Sequence, residues 1–96
     1  MTTLDQLRRR RQEIVEIAAQ RGASNVRVFG SVARGEDDEK SDIDFLVDLE
    51  DGRSLLDLGG LLTDLQDLLG RPVFVGTEDG LKERYKERVL KEAVAL

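Results

Sequence analysis

The chain has 96 residues, of which 40% are hydrophobic and 36% charged, and this composition predicts one small globular domain over residues 1–96. It contains neither Cys nor His, which excludes disulfides, zinc fingers and Cys or His catalysis, so any bound metal must be a hard cation held by oxygens, such as Mg²⁺. The net charge of −5 argues against non-specific nucleic-acid binding. No apolar run is long enough to cross a membrane and no signal peptide is visible, so we expect a cytoplasmic protein without membrane contact.

The first predicted element is a helix that begins at Thr3, with Gln6 at the capping-box spacing, and that ends at Gly22. The four arginines from 8 to 11 are interpreted as a solvated face of this helix; a site for an acidic partner or RNA is the alternative. Residues 26–29 (VRVF) and 43–49 (IDFLVDL) are rich in β-branched and aromatic residues, which predicts two strands.

The second half of the chain predicts a helix, a strand and a closing helix. Ser54 precedes leucines that recur every three or four residues, and Gly70 follows them, which are the start and stop signals of a helix. Residues 72–75 (PVFV) predict a third strand. The last helix begins at about Leu81 and carries one apolar stripe, formed by Leu81, Tyr85, Val89 and Ala93. Core packing is the favoured role of this stripe, and a partner interface is the alternative.

The resulting order, α-β-β-α-β-α, predicts an α/β (α+β) fold with a small mixed sheet of about three strands and helices mainly on one face. The second strand, the helix and the third strand form a crossover unit, which favours parallel pairing. The first two strands are joined by the loop of residues 30–42, and we expect them to pair antiparallel.

That loop begins with Gly30 and Ser31 directly after a predicted strand. Glycine lets a backbone approach a ligand closely, and a Ser hydroxyl with successive backbone amides can hold phosphate oxygens. Arg34 could add a forked donor to the same phosphates, and Ser41 could orient the turn into the next strand. The turn therefore predicts a phosphate-binding segment.

Asp42 and Asp44 close the loop with one residue between them. In a strand this spacing places both carboxylates on one face, where they repel each other unless a cation lies between them. Mg²⁺ binds through a few carboxylates together with substrate phosphates. The two ends of the loop thus fit one ligand, a metal-bound nucleoside triphosphate.

The pattern Gly-Ser, ten residues, Asp-x-Asp resembles the signature of the polymerase-β-like nucleotidyltransferase superfamily. The fuller run GSVARGEDDEKSDIDFLV resembles its smallest members, the minimal nucleotidyltransferase (MNT) domains, nearly along the whole chain. The resemblance implies the palm fold of that superfamily. It also implies that the protein is an antitoxin paired with a HEPN ribonuclease toxin, and that the antitoxin transfers AMP from ATP to a tyrosine of the toxin (AMPylation). It also implies that Gly30 and Ser31 hold the triphosphate, with Arg34 and Ser41 nearby, and that Asp42 and Asp44 hold two Mg²⁺.

One position departs from this family pattern. The family carries a third carboxylate in a run that resembles Gly-Arg-x-Val-Asp, whereas this chain has Phe74 at the position of the Asp. Asp48 does not obviously replace it, because four strand residues separate it from Asp44 by roughly 13 Å, and Glu78 lies beyond the strand. Phe74 puts the transfer activity in question. A protein that neutralises its partner by binding alone is therefore the main alternative, a purely structural or oligomer-forming domain is a third, and the oligomeric state stays open.

Overall fold

A computed structural model describes all residues from 1 to 96. It contains five helices and four strands in the order α1 (Thr3–Arg9), α2 (Arg11–Gln20), β1 (Ala23–Phe29), α3 (Gly30–Arg34), β2 (Ile43–Leu49), α4 (Leu55–Leu69), β3 (Val73–Gly76), α5 (Glu83–Glu92) and β4 (Val94–Ala95). None of the helices has the length and apolar character needed to cross a membrane.

The four strands form one mixed sheet in the order β3-β2-β1-β4. β2 pairs parallel with β3 across the α4 connection, and β1 pairs antiparallel with β2, as expected from the sequence. The fourth strand was not expected: the two residues of β4 pair antiparallel with β1 at Arg27 and Val28. The predicted fold class is confirmed, with four strands instead of about three.

The two faces of the sheet have different roles. Helices α1, α2 and α4 cover one face, and the main core lies between them and the sheet; its most buried members include Ile14, Val28, Ile43, Phe45, Leu61 and Leu65. Helix α5 packs on the opposite face, where Val89 joins Phe29 and Leu46 in a smaller cluster. The side chains of β2 alternate between the two faces, so Asp44 lies on the same face as Leu46 and α5.

The N-terminal helix begins at Thr3 as predicted, but its cap lies one residue earlier than the sequence suggested and the helix is interrupted. The capping box uses Thr2 and Asp5 and not Thr3 and Gln6, because the Asp5 carboxylate accepts the Thr2 backbone amide. The hydroxyl of Thr3 donates instead to Asp37 at 2.6 Å. Arg10 separates α1 from α2, and its guanidinium donates to the Leu68 carbonyl of α4 at 3.1 Å. The neighbouring arginines Arg8, Arg9 and Arg11 are exposed, as expected of a solvated face.

The sequence signals of α4 are confirmed. Ser54 caps the helix and Asp57 completes a capping box, while Gly70 ends it with a left-handed φ of 68°. Gly60 lies against the side chain of Arg21, the residue that follows α2: a Cβ at this position would stand 2.6 Å from its guanidinium carbon. The close approach explains one of the two mid-helix glycines.

Candidate active site

The connection after β1 is a short helix, which the sequence analysis described only as a turn. Gly30 begins it with a φ of +71°, a value that favours glycine. A Cβ on Gly30 would lie 2.2 Å from Oδ2 of Asp44. Glycine is therefore required here twice, once by the backbone conformation and once by the approach of the two ends of the loop.

Asp44 lies in the middle of the sheet between two phenylalanines. The register pairs it with Phe29 of β1 on one side and with Phe74 of β3 on the other. Burial, and then the negative charges of Asp42 and Glu92, raise the pKa of Asp44 to about 6. The carboxylate pair expected from the sequence is thus close enough for the two charges to repel each other.

Asp42 stands one residue before β2 begins and is exposed. Only Asp44 lies within β2, whose bounds match the predicted strand over residues 43–49. No group of three or more acidic side chains is arranged to hold a metal ion. The carboxylates that the structure offers near this end of β2 are therefore the pair Asp42 and Asp44.

Glu92, which the sequence analysis missed, joins the site from the end of α5. Its Oε2 accepts the Gly30 backbone amide at 2.9 Å, and its Oε1 accepts Nη1 of Arg34. Nε of Arg34 donates to Glu36 at 3.1 Å. Burial alone would raise the pKa of Glu92, but the hydrogen bonds from Arg34 and Gly30 outweigh it and lower the pKa. Glu92 is therefore ionised at neutral pH.

One cavity of about 510 Å³, here called the site cavity, lies between α5 and the sheet. Its polar wall contains Gly30, Ser31, Arg34, Asp44, Arg88 and Glu92. Its apolar wall contains Phe29, Phe74, Leu81, Tyr85 and Val89. The predicted phosphate-binding residues and one of the predicted metal ligands thus meet in one space, which has the size of small-molecule pockets. In the apolar stripe of the last helix, Val89 is buried, as core packing predicts, whereas Tyr85 is 46% exposed beside the cavity.

Ser41 is not part of the wall of the site cavity. Its hydroxyl donates to the Asp38 carboxylate at 3.2 Å and accepts the Asp38 amide at 3.0 Å, which closes the loop before Asp42. Its carbonyl accepts Nη2 of Arg71 at 2.9 Å. Ser41 therefore orients the turn, which is the second of the two roles that its position suggested.

Arg71 binds the loop of residues 37–41, a role that the sequence did not indicate. Besides Ser41, its Nη2 donates to the Asp38 carbonyl at 2.9 Å and contacts the Asp37 carboxylate at 3.3 Å. Its Nη1 donates to the hydroxyl of Thr3 at 3.2 Å. One guanidinium thus ties the segment that leads into Asp42 to the first helix.

Phe74 occupies the predicted strand position, in register with Asp44, and lines the site cavity together with it. A Cβ on Gly76, two residues along β3, would lie 2.8 Å from Cε2 of Phe74, so the ring lies over Gly76. The ring also meets Phe29 edge to face, with 6.1 Å between centroids, and remains 42% exposed. The ring thus covers Gly76 and part of Phe29 in the wall of the site cavity.

Asp48 and Glu78, the other acids considered near β2 and β3, are held elsewhere. Arg27 pairs with Asp48 at 2.8 Å and with Glu78 at 3.1 Å, and Asp48 also accepts the side-chain amide of Asn25. Both acids line a separate cavity of about 610 Å³ near the start of α4. The structure does not bring them to the site cavity.

Comparison with known proteins agrees with this arrangement. Residues 7–96 match the nucleotidyltransferase domain family. A candidate protein adenylyltransferase of Methanocaldococcus jannaschii is 42% identical over 88% of this chain and 90% of its own length. The protein adenylyltransferase MntA of Thermococcus cleftensis is 40% identical over 82% of this chain and 80% of its own length.

Solved structures show the same fold. A structure described as a candidate minimal nucleotidyltransferase superposes with a TM-score of 0.86 at 50% identity, covering 100% of this chain and 97% of that one. A toxin–antitoxin crystal structure with AMP-PNP superposes with a TM-score of 0.75 at 19% identity, covering 88% of this chain and 69% of that one. The chain therefore belongs to the nucleotidyltransferase domain family, and within it to the minimal nucleotidyltransferases.

Proposed function

We propose that this protein is a protein adenylyltransferase that transfers AMP from ATP to a tyrosine of a partner toxin of the HEPN type, and thereby serves as the antitoxin. The observation that carries the proposal is the site cavity, where the Gly30 amide, Arg34 and Asp44 face one space. The relatives named as protein adenylyltransferases and the toxin–antitoxin structure of the same fold support it.

In this proposal Gly30, Ser31 and Arg34 hold the triphosphate. A backbone amide and a guanidinium are charge-complementary donors for phosphate oxygens, and Arg presents two donors in a fixed fork. Oδ2 of Asp44 approaches the position that a Cβ of Gly30 would occupy, which supports an arrangement with the phosphates opposite the carboxylate. In this proposal the reacting phosphorus lies between the donors and the carboxylate pair.

The chemistry of the carboxylates fits one Mg²⁺ with its nucleotide. Mg²⁺ is typically bound by one or two carboxylates together with substrate phosphates and water, and Asp42 and Asp44 supply two. A bound Mg²⁺ would neutralise the charge of the phosphates and favour the loss of pyrophosphate. The ionised pair has unfavourable like-charge repulsion, which raises the pKa of Asp44 and which a divalent cation would relieve.

The second Mg²⁺ implied by the family resemblance has less support in this chain. Phe74 pairs with Asp44 where the family pattern places a third carboxylate, and Asp48 and Glu78 are both engaged by Arg27. A phenyl ring neither binds a cation of this kind nor accepts the proton of an attacking hydroxyl. We therefore propose one Mg²⁺ and a slow transfer step.

The alternative function is neutralisation by binding alone. Phe74 is the observation that favours it, because the residue is 42% exposed beside the site and adds apolar surface where a catalytic group is expected. In that case the protein still binds nucleotide or its partner but forms no covalent product.

The two functions differ in one assay. The protein is incubated with ATP labelled at the α-phosphate, Mg²⁺ and the protein encoded beside it, and the label on the partner is counted. Adenylyl transfer predicts label on a partner tyrosine, and Asp44→Asn should abolish it. Nucleotide binding without label supports the binding function, and the absence of both contradicts the proposal.

A further inference from the structure

Glu92 is the one acidic side chain in the wall of the site cavity that lies outside the family motif. It closes α5, and its side chain is only 14% exposed. Each of its oxygens takes one donor, Oε2 the Gly30 amide at 2.9 Å and Oε1 the guanidinium of Arg34. The Gly30 amide and the Arg34 guanidinium are here called the donor pair.

The donor pair is the same pair that the proposed function assigns to the triphosphate. A backbone amide has a single hydrogen to donate, so the Gly30 N–H cannot serve the Glu92 carboxylate and a phosphate oxygen fully at the same time. A carboxylate also resembles a phosphate as a ligand, because both are anions that accept two parallel hydrogen bonds from Arg. The two anions must therefore compete.

We propose that Glu92 occupies the donor pair as long as no nucleotide is bound, that the triphosphate displaces it, and that Glu92 thereby sets the affinity for nucleotide. This inference rests on the proposed function. When a binding-competent state is only partly populated, the apparent dissociation constant rises by the inverse of that fraction. Glu92 thus lowers the affinity of the donor pair for any phosphate ligand.

The released carboxylate has another partner nearby. Arg88 lies one helical turn before Glu92 on α5, lines the same cavity, and already acts on Glu92 through its positive charge. Residues four apart on a helix are neighbours. On displacement, Glu92 would therefore exchange Arg34 for Arg88 as its partner, and its carboxylate would not be left buried without a positive charge beside it.

Displacement also reaches the end of the chain. Glu92 is the last residue of α5, and β4 follows after a single residue, paired with β1. The Leu96 amide donates to the Val26 carbonyl at 3.1 Å. A movement of Glu92 away from the donor pair is thus transmitted to the edge strand of the sheet.

The competing role for Glu92 is that of a third metal ligand. The structure does not favour it, because both oxygens are engaged by the donor pair and no group of three acids is arranged for a cation. The two roles have opposite consequences. Removing a competitor tightens nucleotide binding even without Mg²⁺, whereas removing a metal ligand weakens only the binding that depends on Mg²⁺.

The test is calorimetric binding of ATP and of inorganic tripolyphosphate, both without Mg²⁺, to the wild type, Glu92→Gln and Glu87→Gln. Glu87→Gln is the matched control, because it changes the net charge equally on the same helix but its carboxylate pairs with Lys91 in an exposed position. In Glu92→Gln the side chain loses its charged hydrogen bonds to the donor pair and competes less with phosphate. The Kd of both ligands should therefore fall about tenfold. In Glu87→Gln the Kd should stay within about twofold of the wild type, as befits an exposed ion pair.

An unchanged or higher Kd in Glu92→Gln overturns the inference. If the wild type nevertheless labels its partner with AMP, the proposed function stands and only the inference fails; if no variant binds either ligand, both fail. Should Glu92→Gln not fold, hydrogen exchange of the wild type replaces it. Tripolyphosphate should then speed the exchange of residues 93–96 at least about twofold, and unchanged or slower exchange overturns the inference.

Discussion

Asp44 combines burial, like charge and close backbone contact in a single residue. Its carboxylate is flanked in register by Phe29 and Phe74, and its Oδ2 occupies the space that a Cβ of Gly30 would need. Transfer of a carboxylate from water to such surroundings disfavours its charged form. The fold thus destabilises the ionised Asp44 carboxylate, and a bound cation would relieve this effect.

The first prediction concerns the pH dependence of stability. The folded pKa of Asp44, about 6, lies above its ordinary value of 3.8, so the folded state binds this proton more tightly than the unfolded state. The contribution of Asp44 to stability therefore falls as the pH rises from about 4 to about 6. Asp44→Asn removes this loss, so in metal-free buffer its melting temperature should exceed that of the wild type at pH 7 to 8.

The same comparison at low pH is the control. At a pH well below the ordinary value of 3.8 the wild-type carboxyl is protonated in both states, so the advantage of Asp44→Asn should vanish. Asp5, Asp38 and Asp57 have lowered pKa values and favour the folded state above pH 4, but they are present in both proteins and cancel. A difference in melting temperature that does not change with pH would contradict the burial of the Asp44 charge.

Gly30 and Gly35 form a matched pair for a second prediction. Both have a φ of 71°, but a Cβ on Gly30 meets Asp44 at 2.2 Å whereas a Cβ on Gly35 meets nothing within 4 Å. Each change to Ala should therefore destabilise by the backbone strain of about 1–2 kcal/mol. Gly30→Ala should lose more because Asp44 must also move, and ATP binding should be lost in this variant alone. Equal stabilities of the two variants in chemical denaturation would refute the close contact.

Phe74→Asp is the third prediction, and it has opposite effects on stability and activity. The ring is 42% exposed and touches Phe29, so its loss should cost about 1 kcal/mol, less than a fully buried ring would. The new carboxylate restores an oxygen ligand beside Asp44, and AMP transfer to the partner should rise at least about 100-fold. Thermal unfolding and initial transfer rates measure the two effects. Fast transfer by the wild type, with no gain in the variant, would mean that another acid supplies the third carboxylate.

At the scale of the elements, the sequence predicted the features that depend on neighbouring residues. It did not predict the features that depend on residues far away in the chain. The caps of α4 at Ser54 and Gly70 are readable because a helix end is satisfied by its own neighbours. The five residues of α3 and the two of β4 are too few to show a period. The break at Arg10 depends on the Leu68 carbonyl, 58 residues away, and no local pattern reveals it.

The same division applies to the site. Gly30, Asp42 and Asp44 were predicted together because one short stretch of the sequence contains them all. Glu92 reaches Gly30 across 62 residues, and Arg71 reaches Ser41 across 30. Neither contact could be predicted from the spacing of residues. A glutamate near a helix end and an arginine before a strand are usually surface residues without such a role.

The fourth prediction is that Arg71 positions Asp42 through the loop of residues 37–41. Arg71→Lys keeps the charge but loses the planar fork that reaches the Asp38 and Ser41 carbonyls. The affinity for ATP without Mg²⁺ should be unchanged, because the loop does not line the site cavity. The additional affinity that Mg²⁺ confers should fall about tenfold.

Titration calorimetry with and without Mg²⁺ measures this difference. Arg53→Lys is the control, because Arg53 makes comparable ion pairs with Glu50 and Asp57 far from the loop. If Arg71→Lys weakens ATP binding equally in both buffers, the residue acts on the whole fold and not on Asp42.

On the scale of the whole molecule, the sheet lies between the main hydrophobic core and the site cavity. The main core lies on the face covered by α1, α2 and α4, whereas the site cavity lies on the other face beneath α5. The site is thus built from residues 29–44, from β3 and from the end of the chain, and it is complete only when α5 is in place.

A crystal structure with Mg²⁺ and a non-hydrolysable ATP analogue tests this account most directly. We predict phosphate oxygens on the Gly30 amide and on Arg34, Mg²⁺ in contact with both Asp42 and Asp44, and the Glu92 carboxylate turned away toward Arg88. A nucleotide bound in the cavity of Asp48 and Glu78, or one bound while Glu92 still accepts the Gly30 amide, would contradict it.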